Sequence, residues 1–295
     1  MTANTVSTDS GTSQRPDRSK APIVPPQVSN SVLGIAAVGF AIWGIAWLVL
    51  ISNHSSRLGW TLQTVGPLLI AVAIIMFTKS LAARVGAAVV VFASLGAICA
   101  GLSTIFFAID PKNLALEGHV RFGYGGYGVG ALLGAIALTL VLSRKECELT
   151  AAGSRSYPPC PIGCACGTIV HSSFVSISTG AVGLLVWGLG FILHTVHPQG
   201  TSLGWVLSML GVLLIGASFA LHTDHLTQRF GRAATFLAIV SLLTWVVGYF
   251  LQAINPNALP TDSWYSYLFG CYGVGHLLSA LSIVLIIRRK PSLTK

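Results

Sequence analysis

The segment 122–142, FGYGGYGVGALLGAIALTLVL, decides the fold, because it runs for twenty-one residues without an Asp, Glu, Lys or Arg. A helix rises about 1.5 Å per residue, so roughly 20 apolar residues are needed to cross a hydrocarbon layer of about 30 Å. Lipid offers the backbone no hydrogen-bond partners, and a helix satisfies a single crossing segment internally. The segment therefore predicts a transmembrane helix.

Seven further apolar runs share this character, and none of them has a charged residue in its middle. The eight runs are 32–52, 61–77, 85–108, 122–142, 174–195, 203–221, 233–253 and 266–287. The second and sixth are the shortest and lie near the lower limit of about 17 residues for a membrane span. The sequence predicts an all-α, polytopic integral membrane protein, an eight-helix bundle whose two ends lie on the same side of the bilayer.

The composition of the chain agrees with a lipid environment. Of its 295 residues, 53% are hydrophobic and 8% are charged, whereas an ordinary soluble domain carries about 25% charged residues. The mean hydropathy is +0.76. So few charged residues cannot cover the surface of a soluble protein of this size, which excludes a soluble enzyme and a disulfide-stabilised secreted domain.

The basic residues are placed asymmetrically along the chain. The formal net charge is +9, but the Lys and Arg residues stand at the ends of the apolar runs, which is a topology signal and argues against nucleic acid as a partner. Only Arg57, Lys112 and Arg121 fall on the side opposite the termini, and the other fourteen of the seventeen fall on the side of the termini. The positive-inside rule then predicts a multi-pass protein of the cell membrane with cytoplasmic N- and C-termini.

The chain also repeats itself at an offset of 145 residues. Residues 58–60, Leu-Gly-Trp, recur at 203–205, and residues 127–130, Tyr-Gly-Val-Gly, recur at 272–275. The pair Trp-Gly at 43–44 recurs at 187–188, at an offset of 144. Because each unit has four spans, an even number, both units enter the membrane in the same sense, so the sequence predicts two parallel four-helix repeats.

These patterns give the following organisation of the chain. We expect a disordered cytoplasmic tail at 1–30, a first four-helix membrane repeat at 31–145, a cysteine-containing cytoplasmic linker at 146–173, a second four-helix membrane repeat at 174–290 and a cytoplasmic tail at 291–295.

Five residues in the spans are candidates for a substrate pathway between the repeats. His276 lies near the middle of the last run, where an ionisable side chain is a functional candidate by default. The matched Tyr-Gly-x-Gly segments add Tyr127, Gly130, Tyr272 and Gly275. The alternatives are that the glycines only allow close helix packing and that His276 is a neutral imidazole bonded to a nearby hydroxyl or carbonyl group.

Four cysteines and a histidine in the linker form a candidate metal site. Cys147, Cys160, Cys164, Cys166 and His171 could bind Zn²⁺ or an iron–sulfur cluster as thiolate and imidazole ligands. The spacing C-x3-C-x-C differs from the C-x2-C pairs of well-defined metal sites. We therefore expect no cofactor unless these linker side chains hold one, and the alternative is a flexible linker with incidental thiols.

No known catalytic motif occurs in the chain, so the sequence gives no support to an enzymatic function. The duplication favours a transport-type protein for a small neutral or lipid-like solute at the interface of the two repeats. One alternative is a non-transporting accessory or scaffold subunit of a larger membrane complex, and another is a membrane-anchored cytoplasmic metal or redox sensor. The expected partners are the lipid bilayer and, within it, other membrane proteins or further copies of the chain.

Overall fold

The computed structural model describes residues 29–78, 82, 85–112, 117–153, 166–196, 202–256 and 263–289. It describes their side chains except at 117, 144–153 and 166–173. Within these ranges the chain is helical and contains no strand, which confirms the predicted all-α class.

Eight long helices, which we number α1 to α8, account for most of the described residues. They are Asn30–Ser52 (α1), Arg57–Met76 (α2), Ala87–Ile109 (α3), Glu117–Gly153 (α4), Cys166–Val196 (α5), Ser202–Leu221 (α6), Arg232–Ile254 (α7) and Ser263–Arg288 (α8). A turn at Ser103 and Thr104 divides α3 into two helical pieces, and a short helix, Thr223–Phe230, connects α6 to α7. Each of the eight contains a segment long and apolar enough to cross a membrane, which confirms the predicted multi-pass class.

The helices pack as a closed ring. Each of α1 to α7 packs against the helix that follows it in the chain, and α1 also packs against α8. Two of these contacts join the first four helices to the last four, namely α1 with α8 and α4 with α5. We call the end of the bundle opposite the chain termini the distal end; the loops after α1, α3, α5 and α7 lie there.

The two contacts between the halves are made through glycines. A Cβ atom built on Gly44 of α1 would lie 2.9 Å from the carbonyl oxygen of Gly273 of α8. A Cβ atom built on Gly188 of α5 would lie 3.0 Å from the carbonyl oxygen of Gly128 of α4. In lipid no hydrophobic driving force brings helices together, so backbone contact over small residues is a main source of association. Both contacts between the halves depend on it.

The first two helices of each half cross in the same way. Gly39 of α1 faces Gly66 of α2, where a Cβ on either residue would lie within 2.9 Å of the other's carbonyl oxygen. Gly183 of α5 faces Gly211 of α6, with a corresponding distance of at most 2.8 Å. At these four positions a larger side chain would separate the helices.

Two glycines with positive φ begin α3 and α7. Gly86 has φ +97° and ψ 149°, and Gly231 has φ +96° and ψ 151°. L-residues with a side chain rarely adopt this region, whereas glycine does so without a steric penalty. The tight entry into each of these helices therefore requires glycine.

The predicted tails and linker are only partly covered by the described residues. The predicted tails, 1–30 and 291–295, lie outside the described residues apart from Ser29 and Asn30, where α1 begins. Both helices that border the linker extend into it, since α4 continues to Gly153 and α5 starts at Cys166. The good helix formers Glu146, Glu148 and Leu149 follow the last apolar residues of α4, which accounts for its continuation beyond the membrane span.

The close helix contacts at glycines predict that alanine substitutions at two positions on α6 change the free energy of unfolding by different amounts. Gly211→Ala places a Cβ 2.5 Å from the backbone nitrogen of Trp187, so α5 and α6 must separate. Gly216→Ala is the matched control, because its Cβ would meet nothing closer than 3.9 Å. We expect Gly211→Ala to lower the free energy of unfolding by about 1–3 kcal/mol, measured by thermal unfolding in detergent, and Gly216→Ala to leave it unchanged or raise it. Equal effects of the two substitutions would contradict the packing described here.

Candidate functional site

Aromatic side chains fill the inside of the ring towards the distal end. Nine buried residues form one contiguous cluster: Leu50, Trp60, Phe191, Trp205, Val212, Tyr249, Leu268, Phe269 and Tyr272. Further tryptophans and tyrosines pack against this cluster, including Trp47, Trp187 and Trp245. Because tyrosine and tryptophan carry an O–H or N–H group on a largely apolar ring, the cluster brings hydrogen-bonding groups into the interior of the bundle.

His276 lies in the middle of α8 and is 3% exposed. Its Nδ1 atom is 2.6 Å from the backbone carbonyl oxygen of Tyr272, which can only accept a hydrogen bond. Nδ1 therefore carries the proton, and in the neutral ring Nε2 is an acceptor. This Nε2 is buried and has no partner among the described residues.

Two tryptophans from different helices enclose the His276 ring. Its centroid lies 4.1 Å from that of Trp43 on α1 and 4.5 Å from that of Trp245 on α7. The indole N–H of Trp43 donates a hydrogen bond of 2.6 Å to Oε1 of Gln63 on α2. We call Trp43, Gln63, Trp245 and His276 the His276 site; it joins helices of both halves of the chain.

The His276 site contains unpaired donors as well as an unpaired acceptor. Gln63 is fully buried, and its Nε2 has no partner in the described part of the chain. The same holds for Nε1 of Trp245. In native proteins buried polar groups are nearly always paired, and an exception requires an explanation such as a bound molecule. Nε2 of His276, Nε2 of Gln63 and Nε1 of Trp245 are therefore the atoms of the His276 site that are left without a hydrogen-bond partner among the described residues.

Tyr272 has a hydroxyl group that is already used within the protein. It donates a hydrogen bond of 2.7 Å to Oε1 of Gln252 on α7. The ring of Tyr272 also packs on that of Tyr249, with centroids 5.2 Å apart. Tyr249 in turn accepts a hydrogen bond of 3.1 Å from the indole of Trp187. Tyr272 thus holds α8 against α7 directly above the His276 site.

The other predicted pathway residues lie at different contacts. Tyr127 packs on Phe191 of α5, with centroids 5.4 Å apart. Gly130 faces Gly96 of α3, where a Cβ would lie 2.7 Å from the carbonyl oxygen. Gly275 contacts the indole ring of Trp245. Of the five residues, the structure brings Tyr272, Gly275 and His276 together on α8. It places Tyr127 and Gly130 on α4, where Tyr127 packs against the same aromatic cluster as Tyr272.

Sequence analysis missed Gln63, Trp43 and Trp245 as members of the site. Gln63 stands inside the second apolar run, so an uncharged amide within a span was the available signal. Trp43 and Trp245 gave no such signal, because tryptophan is common in membrane spans and the sequence does not tell which face of a helix points inwards.

Buried serine hydroxyl groups nearer the chain termini have hydrogen-bond partners. In this they differ from Nε2 of His276, Nε2 of Gln63 and Nε1 of Trp245. Ser176 donates to the carbonyl oxygen of Ser218 at 2.7 Å, and Ser282 donates to that of Ala234 at 2.8 Å. The hydroxyl groups of Ser241 and Ser279 are 2.6 Å apart. These bonds join neighbouring helices and leave no polar atom of their side chains unpaired, so they are structural.

A histidine at the distal end, next to the aromatic cluster, has a lowered pKa. His54 follows α1, and its ring lies 5.4 Å from that of Phe269. Burial lowers the pKa of His54 below its usual value of 6.5, because removal from water disfavours the charged form. Burial thus favours the neutral form of His54.

The side chains of the proposed metal ligands lie outside the part of the chain that the structure describes. Cys160 and Cys164 are not described, and the side chains of Cys147, Cys166 and His171 are not described either. Among the side chains that are described, no three of His, Cys, Asp or Glu lie close enough to hold one metal ion. The linker site stays a prediction.

Comparisons of the chain with known protein families, with curated proteins and with solved structures found no match.

The Tyr272 hydrogen bond predicts a loss of stability that a neighbouring tyrosine does not share. Tyr272→Phe removes the donor to the buried Gln252, and an unpaired buried acceptor costs about 1–3 kcal/mol. Tyr267→Phe on the same helix is the control, since Tyr267 is 66% exposed. We expect thermal unfolding in detergent to show a lower midpoint for Tyr272→Phe alone. An unchanged midpoint for Tyr272→Phe would mean that its hydroxyl group does not hold α8 to α7.

Proposed function

We propose that the protein is a transport-type membrane protein that binds a small neutral solute at the His276 site, between two homologous four-helix halves. The observation that carries the proposal is the buried, unpaired acceptor of His276, whose ring packs on Trp43 and Trp245, together with the unpaired donors of Gln63 and Trp245 in the same site. Ionisable side chains at such depth in membrane proteins commonly mark solute pathways.

Matching local geometry in the two halves supports their origin by duplication. Gly86 and Gly231, 145 residues apart, begin helices with the same positive φ. Asp110 and Asn255, also 145 apart, end helices with φ −129° and ψ 72° each. The two contacts between the halves use corresponding glycines, as described above. Parallel repeats of this kind place solute sites at the interface of the halves in several transporters.

The charge of the interior favours a neutral solute. The buried polar side chains among the described residues are Gln, Thr, Ser and His, and none is Asp, Glu, Lys or Arg. A charged solute would enter a medium of low dielectric without a counter-charge, which is strongly unfavourable. Hydrogen-bonding groups without formal charge suit a polar but neutral molecule, and such a molecule fits this site better than a lipid-like one.

The proposal predicts a loss of flux when the acceptor is removed. Purified protein in liposomes would be tested by stopped-flow light scattering against a panel of neutral solutes, including water, urea and glycerol. His276→Ala, which introduces the residue at the matched position 131, should reduce the flux of the transported solute about tenfold, the factor for one lost hydrogen bond. His276→Gln, which keeps a polar group near Nε2, should retain part of it.

Val274→Ala serves as the control, because Val274 lies on the same helix and is 45% exposed on the outer face of the ring. Thermal unfolding of each variant separates a loss of folding from a loss of flux. Wild-type flux no greater than that of empty liposomes for every solute would overturn the proposal, and so would unchanged flux in a folded His276→Ala variant.

A second candidate, a non-transporting accessory or scaffold subunit, is favoured by one observation. The glycine contacts of α1 with α8 and of α4 with α5 bring backbones together at both interfaces between the halves. Closed interfaces of this kind are expected of a bundle that does not rearrange. Purification from native membranes with a stoichiometric membrane partner, together with absence of flux, would favour this function.

The location in the cell membrane, the cytoplasmic termini and the sensor function of the linker stay predictions from the sequence. Zinc or an iron–sulfur cluster at Cys147, Cys160, Cys164, Cys166 and His171 would be detected by elemental analysis of the purified protein. Such a result would add a sensor to the membrane bundle, and it would not bear on the His276 site.

A further inference from the structure

A second buried histidine lies at the other interface between the halves. His194, two residues before the end of α5, is 0% exposed. Its ring centroid is 4.0 Å from that of Trp205 on α6 and 5.1 Å from that of Tyr124 on α4. Neither Nδ1 nor Nε2 has a hydrogen-bond partner among the described residues. A neutral imidazole has one donor and one acceptor, so His194 leaves both unpaired.

Ser208 adds a third unpaired polar group at the crossing of α5 and α6. It is also 0% exposed, and its Oγ has no partner in the described ranges. A Cβ built on Gly190 would lie 2.6 Å from this Oγ, and a Cβ built on Gly204 would lie 2.7 Å from Nε2 of His194. The two glycines also face one another, so His194 and Ser208 belong to one small region of the helix crossing.

The first half of the chain has an apolar residue at the matched position. Leu50 is 0% exposed and covers Gly59, where a Cβ would lie 2.7 Å from Cδ2 of Leu50. His194 covers Gly204 in the same manner, and Gly204 follows Gly59 by 145 residues. A leucine therefore fills this position without any polar group. Because burial of an unpaired imidazole is unfavourable, packing does not explain His194.

We infer that His194 and Ser208 form a second binding site, for a small neutral molecule that donates and accepts hydrogen bonds at once. The two side chains offer both donors and acceptors. The described buried side chains carry no charge that would hold an ion. The backbones approach closely at Gly190 and Gly204, which favours a small molecule. Water or a small neutral solute has this chemistry.

The His194 site is distinct from the His276 site. It is built by α4, α5 and α6, whereas the His276 site is built by α1, α2, α7 and α8. The inference does not rest on transport, since a bound molecule at His194 is compatible with either candidate function.

The test uses the full chain labelled with ¹⁵N-histidine in lipid nanodiscs. The His194 signals would be assigned by their loss in His194→Leu and followed during titration with acetamide, which donates and accepts. Acetone, of similar size, only accepts and is the control solute. We expect acetamide to shift both ring ¹⁵N signals saturably, and acetone to leave the acceptor nitrogen unshifted. Cross-relaxation with water protons, without saturable shifts, would support the site with water as its occupant.

Ser208→Ala and Ser176→Ala form a matched pair on the same two helices. Ser176 is a buried serine whose hydroxyl group is bonded to Ser218, so its loss does not touch the site. We expect Ser208→Ala to weaken the acetamide response about tenfold, and Ser176→Ala to leave it unchanged. The absence of both an acetamide shift and contact with water at His194 would overturn the inference. Where acetamide does shift the signals, equal responses of the two serine variants would overturn it too.

Two further measurements distinguish a failure of the His194 site from a failure of the proposed transport function. His194→Leu should unfold at the same or a higher temperature than the wild type, because leucine fits the matched position; a clearly lower midpoint would mean that His194 is structural and would overturn the inference. His276→Ala should leave the acetamide response at His194 unchanged. Failure of solute flux in liposomes therefore leaves the His194 site standing, and failure at His194 leaves the proposed transport standing.

Discussion

Backbone contact between helices is the constraint on which the rest of this structure depends. Lipid tails are as apolar as leucine, so apolar side chains alone give helices little reason to associate in a membrane. Glycine pairs such as Gly39 with Gly66 and Gly44 with Gly273 allow close approach and gain dispersion contacts along the backbone. Because such pairs lie at both contacts between the halves, the ring closes, and the side chains that point inwards are removed from lipid and water.

Because the helix ring is closed, polar side chains that point inwards are buried, and those without hydrogen-bond partners are candidates for binding a small molecule. The imidazoles of His194 and His276 and the amide of Gln63 would be unremarkable at a surface, but here they are buried without full pairing. The matched positions of the first half hold Leu50 and Ala131 in place of the two histidines. Among the described buried side chains, both histidines belong to the second half, whereas Gln63 belongs to the first.

The sequence predicted the spans well, because hydropathy and length are strong signals when the solvent is lipid. The predicted run 32–52 and the helix Asn30–Ser52 differ by two residues at one end. Ring closure was not predicted, since a span that faces lipid and a span that faces the core are equally apolar. His276 was predicted as a site residue because it is an ionisable side chain near the middle of a span. The participation of Gln63, Trp43 and Trp245 could be recognised only once it was known which helix faces meet.

The most direct test of the central claim is the ¹⁵N spectrum of His276 in lipid. The hydrogen bond to the carbonyl oxygen of Tyr272 places the proton of the neutral ring on Nδ1, so the account predicts Nε2 as the unprotonated acceptor. Addition of the transported solute should shift the Nε2 signal. A ring that is charged at pH 7, or protonated at Nε2, would contradict the account, since Nε2 would then have no lone pair with which to bind a donor.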